Sequence, residues 1–170
     1  MRKKMLAAVL GITLLLSAGC TKSNIIRPEG KAEPDFSIVT DVELNWEQIG
    51  QDLMGYYEDS TDYPGLSSFN YNHKDEEKLI LVQLFVEDSV NPNQAAAYAS
   101  DLIKFLNDSI TIQNNSYALS GDDFYGGFFD EYNISVQVFP EETPEDEDTC
   151  LVNMTVNAGE HSPIVPVEAP

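Results

Sequence analysis

Histidine and cysteine are the residue types most able to do chemistry in this chain, and it holds two of each. A nucleophilic site needs an activated Ser or Cys, a base beside it and a third group that orients the base. His73 closes an alternating segment next to the acidic turn Lys74-Asp75-Glu76-Glu77, a setting in which an imidazole is simply solvated. His161 stands at the root of a proline-rich end and is no better placed to act as a base. Cys150 opens the alternating run Cys150, Val152, Met154, Val156, which predicts a buried small hydrophobe and not a reactive thiol. The sequence has no Gly-rich phosphate loop, no Cys/His zinc spacing and no nucleophile elbow. With 29 Asp and Glu, some carboxylate pair falls at glycosidase spacing in any fold, so their presence does not point to hydrolysis. No catalytic residue is assigned, and a carboxylate-based hydrolase is kept only as an alternative.

Two segments could bind rather than react. Glu141-Glu142-Thr143-Pro144-Glu145-Asp146-Glu147-Asp148 sets six carboxylates in eight residues, and oxygen-rich clusters of this kind collect Ca²⁺. The candidate ligands are Glu145, Asp146, Glu147 and Asp148. The segment lacks the glycine and the alternating spacing of an EF-hand, and a solvated, gatekeeping turn is the better account of it. The second segment, residues 120–132, places Phe124, Tyr125, Phe128 and Phe129 around Gly126 and Gly127. Aromatics on a glycine-hinged loop offer contact area for a peptide or sugar. The plainer reading is that these rings plug the end of a core while the glycines let the backbone turn.

The elements that must position these residues are legible from caps and periodicity. Asn45 caps a helix over residues 46–58, with Gln48 at the third position, Leu44 stapling onto Ile49, and Trp46, Ile49, Leu53, Tyr56 and Tyr57 on one face. Asn91 and Pro92 start a second helix over residues 92–108, with Ala95, Ala99, Leu102, Ile103 and Leu106 along one side. Phe69, Tyr71 and His73 alternate with polar residues and turn into the run Leu79-Ile80-Leu81-Val82-Gln83-Leu84-Phe85-Val86, a hairpin whose second strand is central. A second hairpin joins Tyr132, Ile134, Val136 and Val138 to Cys150, Val152, Met154 and Val156 through the acidic loop. Phe36, Ile38, Thr40, Val42 and Leu44 alternate as a further strand. The fold class expected is α+β, an antiparallel sheet of about four to five strands with both amphipathic helices packed on one face. The order helix, strand, strand runs through the chain twice, which leaves an internal duplication open.

The beginning of the chain sets the location. Arg2, Lys3 and Lys4 precede the apolar run Met5 to Leu16, which is too short to span a hydrocarbon core of ~30 Å. It ends on Leu16-Ser17-Ala18-Gly19-Cys20, which resembles the lipobox of bacterial lipoproteins. The resemblance covers this segment alone. It implies diacylglyceryl transfer to the Cys20 thiol, cleavage ahead of it by signal peptidase II, and an extracytoplasmic protein held to a membrane by its lipid. Thr21 in place of Asp is compatible, in the family's sorting logic, with export to an outer membrane.

The expected organisation is therefore a signal peptide over residues 1–19, a lipidated cysteine and flexible linker over 20–35, one globular domain over 36–158, and a Pro-rich extended tail over 159–170. The formal charge is −20, and it becomes more negative once Arg2, Lys3 and Lys4 are removed. Such a surface repels nucleic acid and anionic headgroups; it leaves cationic ligands, metal ions and basic peptides open as partners, but high acidity is more often simply a solubility device. With Cys20 acylated, Cys150 has no partner for a disulfide. The leading functional expectation is a non-enzymatic binding module for an extracytoplasmic protein, peptide or glycan. Its alternatives are a Ca²⁺-binding surface protein and the hydrolase already mentioned.

Overall fold

The structure is a computed structural model that describes residues 42–57, 61–144 and 146–168. In chain order its elements are α1 (Trp46–Tyr57), β1 (Leu66–Lys74), β2 (Leu79–Val86), α2 (Pro92–Gln113), β3 (Asn133–Pro140) and β4 (Val152–Val156). Short 3-10 turns occupy Asp75–Glu77, Gly127–Asp130 and Glu147–Thr149. The class is α+β, with one four-stranded sheet and two helices. The strand expected over residues 36–44 lies mostly outside the described residues, and its described end, residues 42–44, is irregular. The signal, Cys20 and the linker lie outside them as well. None of the described helices is long and apolar enough to cross a membrane.

Local chemistry explains where the helices begin. The Asn91 side chain accepts hydrogen bonds from the backbone N–H groups of Asn93 and Gln94, each at 3.1 Å. The Gln94 side chain reciprocates on the Asn91 N–H at 3.2 Å, while Pro92 sits where no donor is needed. Asn45 caps α1 through the Gln48 N–H at 3.1 Å, but the return bond comes from elsewhere. Gln48 spends its own amide on Asp52, and the Asn45 N–H donates to Gln113 Oε1 at 2.7 Å. The Gln113 amide also donates to the Asn45 carbonyl, so the last residue of α2 ties off the first turn of α1.

That bond needs α2 to run five residues past the expected end at 108. The polar trio Asn107-Asp108-Ser109 reads as a stop, yet Asn107 and Ser109 are buried and Ile110 continues the core face.

The sheet order is β1-β2-β3-β4. Both expected hairpins form, β1 antiparallel to β2 and β3 antiparallel to β4, but β2 and β3 are parallel. The sheet is mixed and not purely antiparallel as the sequence reading had it. The reason lies in the connections: a tight turn reverses direction, whereas the long excursion through α2 returns the chain to the sheet in the direction it left. β2 and β3 occupy the centre, consistent with a β2 run that is apolar on both sides.

Register sorts the faces. Tyr71, Val82, Val136 and Met154 align across the sheet, as do Phe69, Leu84, Val138 and Val152, and the strand residues of these rows and the Ile80, Ile134, Val156 row supply most of the core's β layer. Ile49, Leu53 and Tyr57 from α1 join that core, with Ala95, Ala99, Leu102, Ile103 and Leu106 from α2. Fully burying each large aliphatic stabilises by about 1.5–3 kcal/mol. One alternate row is polar throughout, Asn70, Gln83, Gln137 and Asn153 standing in line with Gln83 donating to Gln137 at 3.0 Å, whereas the rows on either side of it include Leu81 and the stacked pair Phe85 and Phe139.

Candidate functional site

Asn107 organises the segment between α2 and β3. Its side chain is fully buried, donates to the Ala118 carbonyl at 3.0 Å and accepts from the Phe128 N–H at 3.1 Å. Next to it, the Asp108 carboxylate accepts from the backbone and hydroxyl of Ser120 at 2.7 and 2.9 Å. One turn earlier, Lys104 donates to the Asp122 carbonyl at 2.7 Å. The chain passes so close to Asn107 that a Cβ on Gly126 would fall 1.9 Å from its amide, and Gly126 holds φ +109°. Only glycine fits there.

This anchoring decides where the candidate aromatics go. Phe128 and Phe129 are buried in the core, Phe128 stacking on Tyr132 with ring centroids 4.1 Å apart. Tyr125 is also buried; its hydroxyl donates to the Ser162 carbonyl and accepts from the Ile164 N–H, both at 3.1 Å. Phe124 alone of the four is partly exposed.

Residues 161–168 do not trail away from the domain. They are extended, in keeping with Pro163 and Pro166, but Ile164 is buried and the Val167 N–H donates to the Leu151 carbonyl at 2.9 Å. His161 pins the start of this segment. Its Nδ1 accepts from the Tyr125 N–H at 3.1 Å, so the ring proton sits on Nε2, which donates to the Asp130 carboxylate at 2.8 Å. The ring packs on Phe124 at 4.4 Å, and the backbone holds φ +46°, a conformation a side chain other than glycine enters only when its surroundings impose it. His73 likewise does not stand free in solvent: it stacks on Trp46 at 4.1 Å and 11°.

Between the start of α2, the 122–125 loop and residues 161–166 lies a cleft of about 530 Å³. Ala96 and Ala97 make its floor shallow, Phe124, Pro163 and Pro166 give it apolar walls, and Asp122 and Asp123 stand at its rim. A smaller one of about 410 Å³ opens beside Trp46, His73 and Tyr132. There Tyr132 donates to Asp75 at 3.2 Å and accepts from Lys78 at 3.4 Å, with the Lys78 ammonium 4.4 Å from the centre of its ring. That hydrogen bond raises the Lys78 pKa, and burial raises those of Tyr117 and Tyr132.

Both nitrogens of His161 are engaged, and the Cys150 thiol is buried, bonded to the Val138 and Val152 carbonyls and pushed up in pKa by that burial. Of the acidic loop, Glu145 lies outside the described residues. Asp146 turns its carboxylate onto the Asp148 N–H at 3.1 Å, capping the 3-10 turn. Among the described residues no three His, Cys, Asp or Glu side chains are grouped to hold a metal ion.

No family model, curated protein or solved structure matches this chain.

Asn107, Asp108 and Gly126, which shape the cleft wall, carry a weak signal in the sequence. A buried asparagine in a helix looks like a helix stop, and Gly126-Gly127 reads as a turn without naming what the turn must pass.

Proposed function

We propose that this chain is a lipid-anchored extracytoplasmic protein whose domain acts as a non-enzymatic binding module for a protein, peptide or glycan. Cys20 carries the lipid, and residues 21–35 space the domain from the membrane. In this reading both helices cover one face of the sheet and leave the other, with its row of amides, toward solvent.

The observation that carries the binding reading is the cleft at Phe124. It is wide enough for a side chain or sugar ring, it is walled by apolar groups with carboxylates at the rim, and its histidine is used up in holding the wall together. Those features supply contact area and orientation, and the imidazole there is already engaged on both nitrogens. The rim charge and the net −20 favour a ligand that is cationic or rich in hydroxyl groups.

Two measurements test this. Acyl-probe labelling in a lipoprotein-processing bacterium is expected to tag the wild-type protein and leave Cys20→Ala unlabelled; equal labelling of both would remove the anchor. Photo-crosslinking from position 124 in intact cells is expected to give a discrete adduct that Ala97→Arg, which fills the cleft, abolishes. An adduct unchanged by that substitution would separate the cleft from binding.

A further inference from the structure

β1 is an edge strand: among the described residues it pairs with β2 on one side and with no strand on the other. It is nine residues long, has no proline, and carries its one charge, Lys74, at its last position. Edges that must not pair are normally short, charged or interrupted. Alongside residues 66–70 runs a groove of about 410 Å³ walled by Met54, Tyr57, Leu66 and Phe69. Met54 is half-exposed at its mouth.

Tyr57 is more than nine-tenths buried, and its hydroxyl has no hydrogen-bond partner among the described residues. The Tyr63 ring packs 4.6 Å away and adds to the upward push that burial exerts on the Tyr57 pKa. Leaving such a group unsatisfied carries its full desolvation penalty, which a fold tolerates where something else satisfies it. The electrostatic setting is negative. Asp101 acts on both Tyr57 and Tyr63, neither α1 nor the first eight residues of β1 carry a cation, and the chain as a whole has charge −20.

We infer that the outer edge of β1 takes an extended basic peptide as an added strand. The peptide backbone pairs with the outward N–H and C=O groups of β1, as in strand addition to other exposed edges. One Lys or Arg side chain lays its methylene stem between Met54 and Phe69, and its cationic head donates to the Tyr57 hydroxyl in the field of Asp101. A second copy of this chain is disfavoured as occupant because both partners would carry −20. The inference rests on the proposed binding function and names a ligand class and a second surface for it.

The test is selection of a random dodecapeptide library on the full-length protein in mild detergent, followed by amide chemical-shift mapping of the selected peptides. The expected result is Lys- or Arg-bearing peptides that shift residues 66–74. They should lose about three- to tenfold in affinity with Tyr57→Phe, the worth of one hydrogen bond, and more with Met54→Lys, which sets a like charge at the groove mouth without touching the core. Peptides that map to the Phe124 cleft and leave β1 unshifted would overturn this inference while leaving the proposed function standing. Selection of no peptide would count against the peptide-binding form of both. Pairing of β1 with a second copy, or with the chain's own residues before 42, would assign the edge to this protein itself and overturn the inference.

Discussion

β4, at one end of the sheet, is five residues long, and residues 161–168 run beside it, with Val167 bonded to Leu151 and Ile164 sunk into the core. β1, at the other end, is nine residues long with no described strand or segment paired along its outer side. Each edge has a buried tyrosine next to it, and the two hydroxyls tell the edges apart. That of Tyr125 makes two hydrogen bonds to the C-terminal segment, whereas that of Tyr57 makes none among the described residues. A sheet edge is closed by a succession of specific polar contacts, here running from Asn107 to the 118–128 loop, to Tyr125 and His161, and on to β4. Hydrophobic packing lies beneath both edges and does not distinguish them.

The largest effect is expected where that succession begins. Asn107→Ala strands the Phe128 N–H in the interior, at about 1–3 kcal/mol, and leaves a cavity where the buried amide was, while the Ala118 carbonyl keeps the Gly127 N–H; urea unfolding should show a loss of about 2–4 kcal/mol. A loss below about 1 kcal/mol would mean that the loop keeps its place without Asn107.

Tyr125→Phe should act next most strongly. It leaves the Ile164 N–H buried without a partner and is expected to remove about 1–3 kcal/mol and to speed exchange at Val167 more than at Val82. Uniform acceleration at both amides would show that the segment is not a separate cover.

The sequence made much of this arrangement readable. Asn45, Asn91 and Pro92 marked both helix starts, and strict alternation marked both hairpins, because capping and pleating are local physics. It did not show the parallel seam between β2 and β3, since a period of two is the same in either direction and the decision lies in the excursion through α2. Nor did it show that Asn107 is a structural centre: an asparagine late in a helix has the same local preference whether solvent or a buried loop meets it. The aromatic segment was half legible. Its glycines and phenylalanines announced a turn with a plug, but which ring stays at the surface depends on contacts with His161, 37 residues further on from Phe124. The proline-rich end read as extended, which it is, and its docking was hidden because Tyr125 supplies the partners.

The smallest stability effect is expected at the open edge, and with the opposite sign. Tyr57→Phe removes a buried hydroxyl that has no partner among the described residues and should leave stability unchanged or raise it by up to about 1 kcal/mol. It should also alter the alkaline limit. Burial first, with neighbouring phenols and Asp101 adding to it, holds the Tyr57 pKa far above its ordinary 10.0, and Tyr63 is raised in the same way. Folded, these phenols stay protonated at a pH where the unfolded chain ionises them, so the stability they allow is complete below about pH 10 and falls as the pH rises beyond it. Melts of the wild type between about pH 9 and 11.5 should show that decline, and Tyr57→Phe should flatten it. An equal decline in both would place the sensitive group elsewhere.

Amide hydrogen exchange on the full-length protein compares the two edges most directly. The open-edge account predicts that the β1 amides pointing away from β2 exchange at nearly unprotected rates, while Val167 and the β4 amides are protected by the stability of the C-terminal cover. Protection along the whole of β1 would mean that something already occupies that edge, and would contradict it.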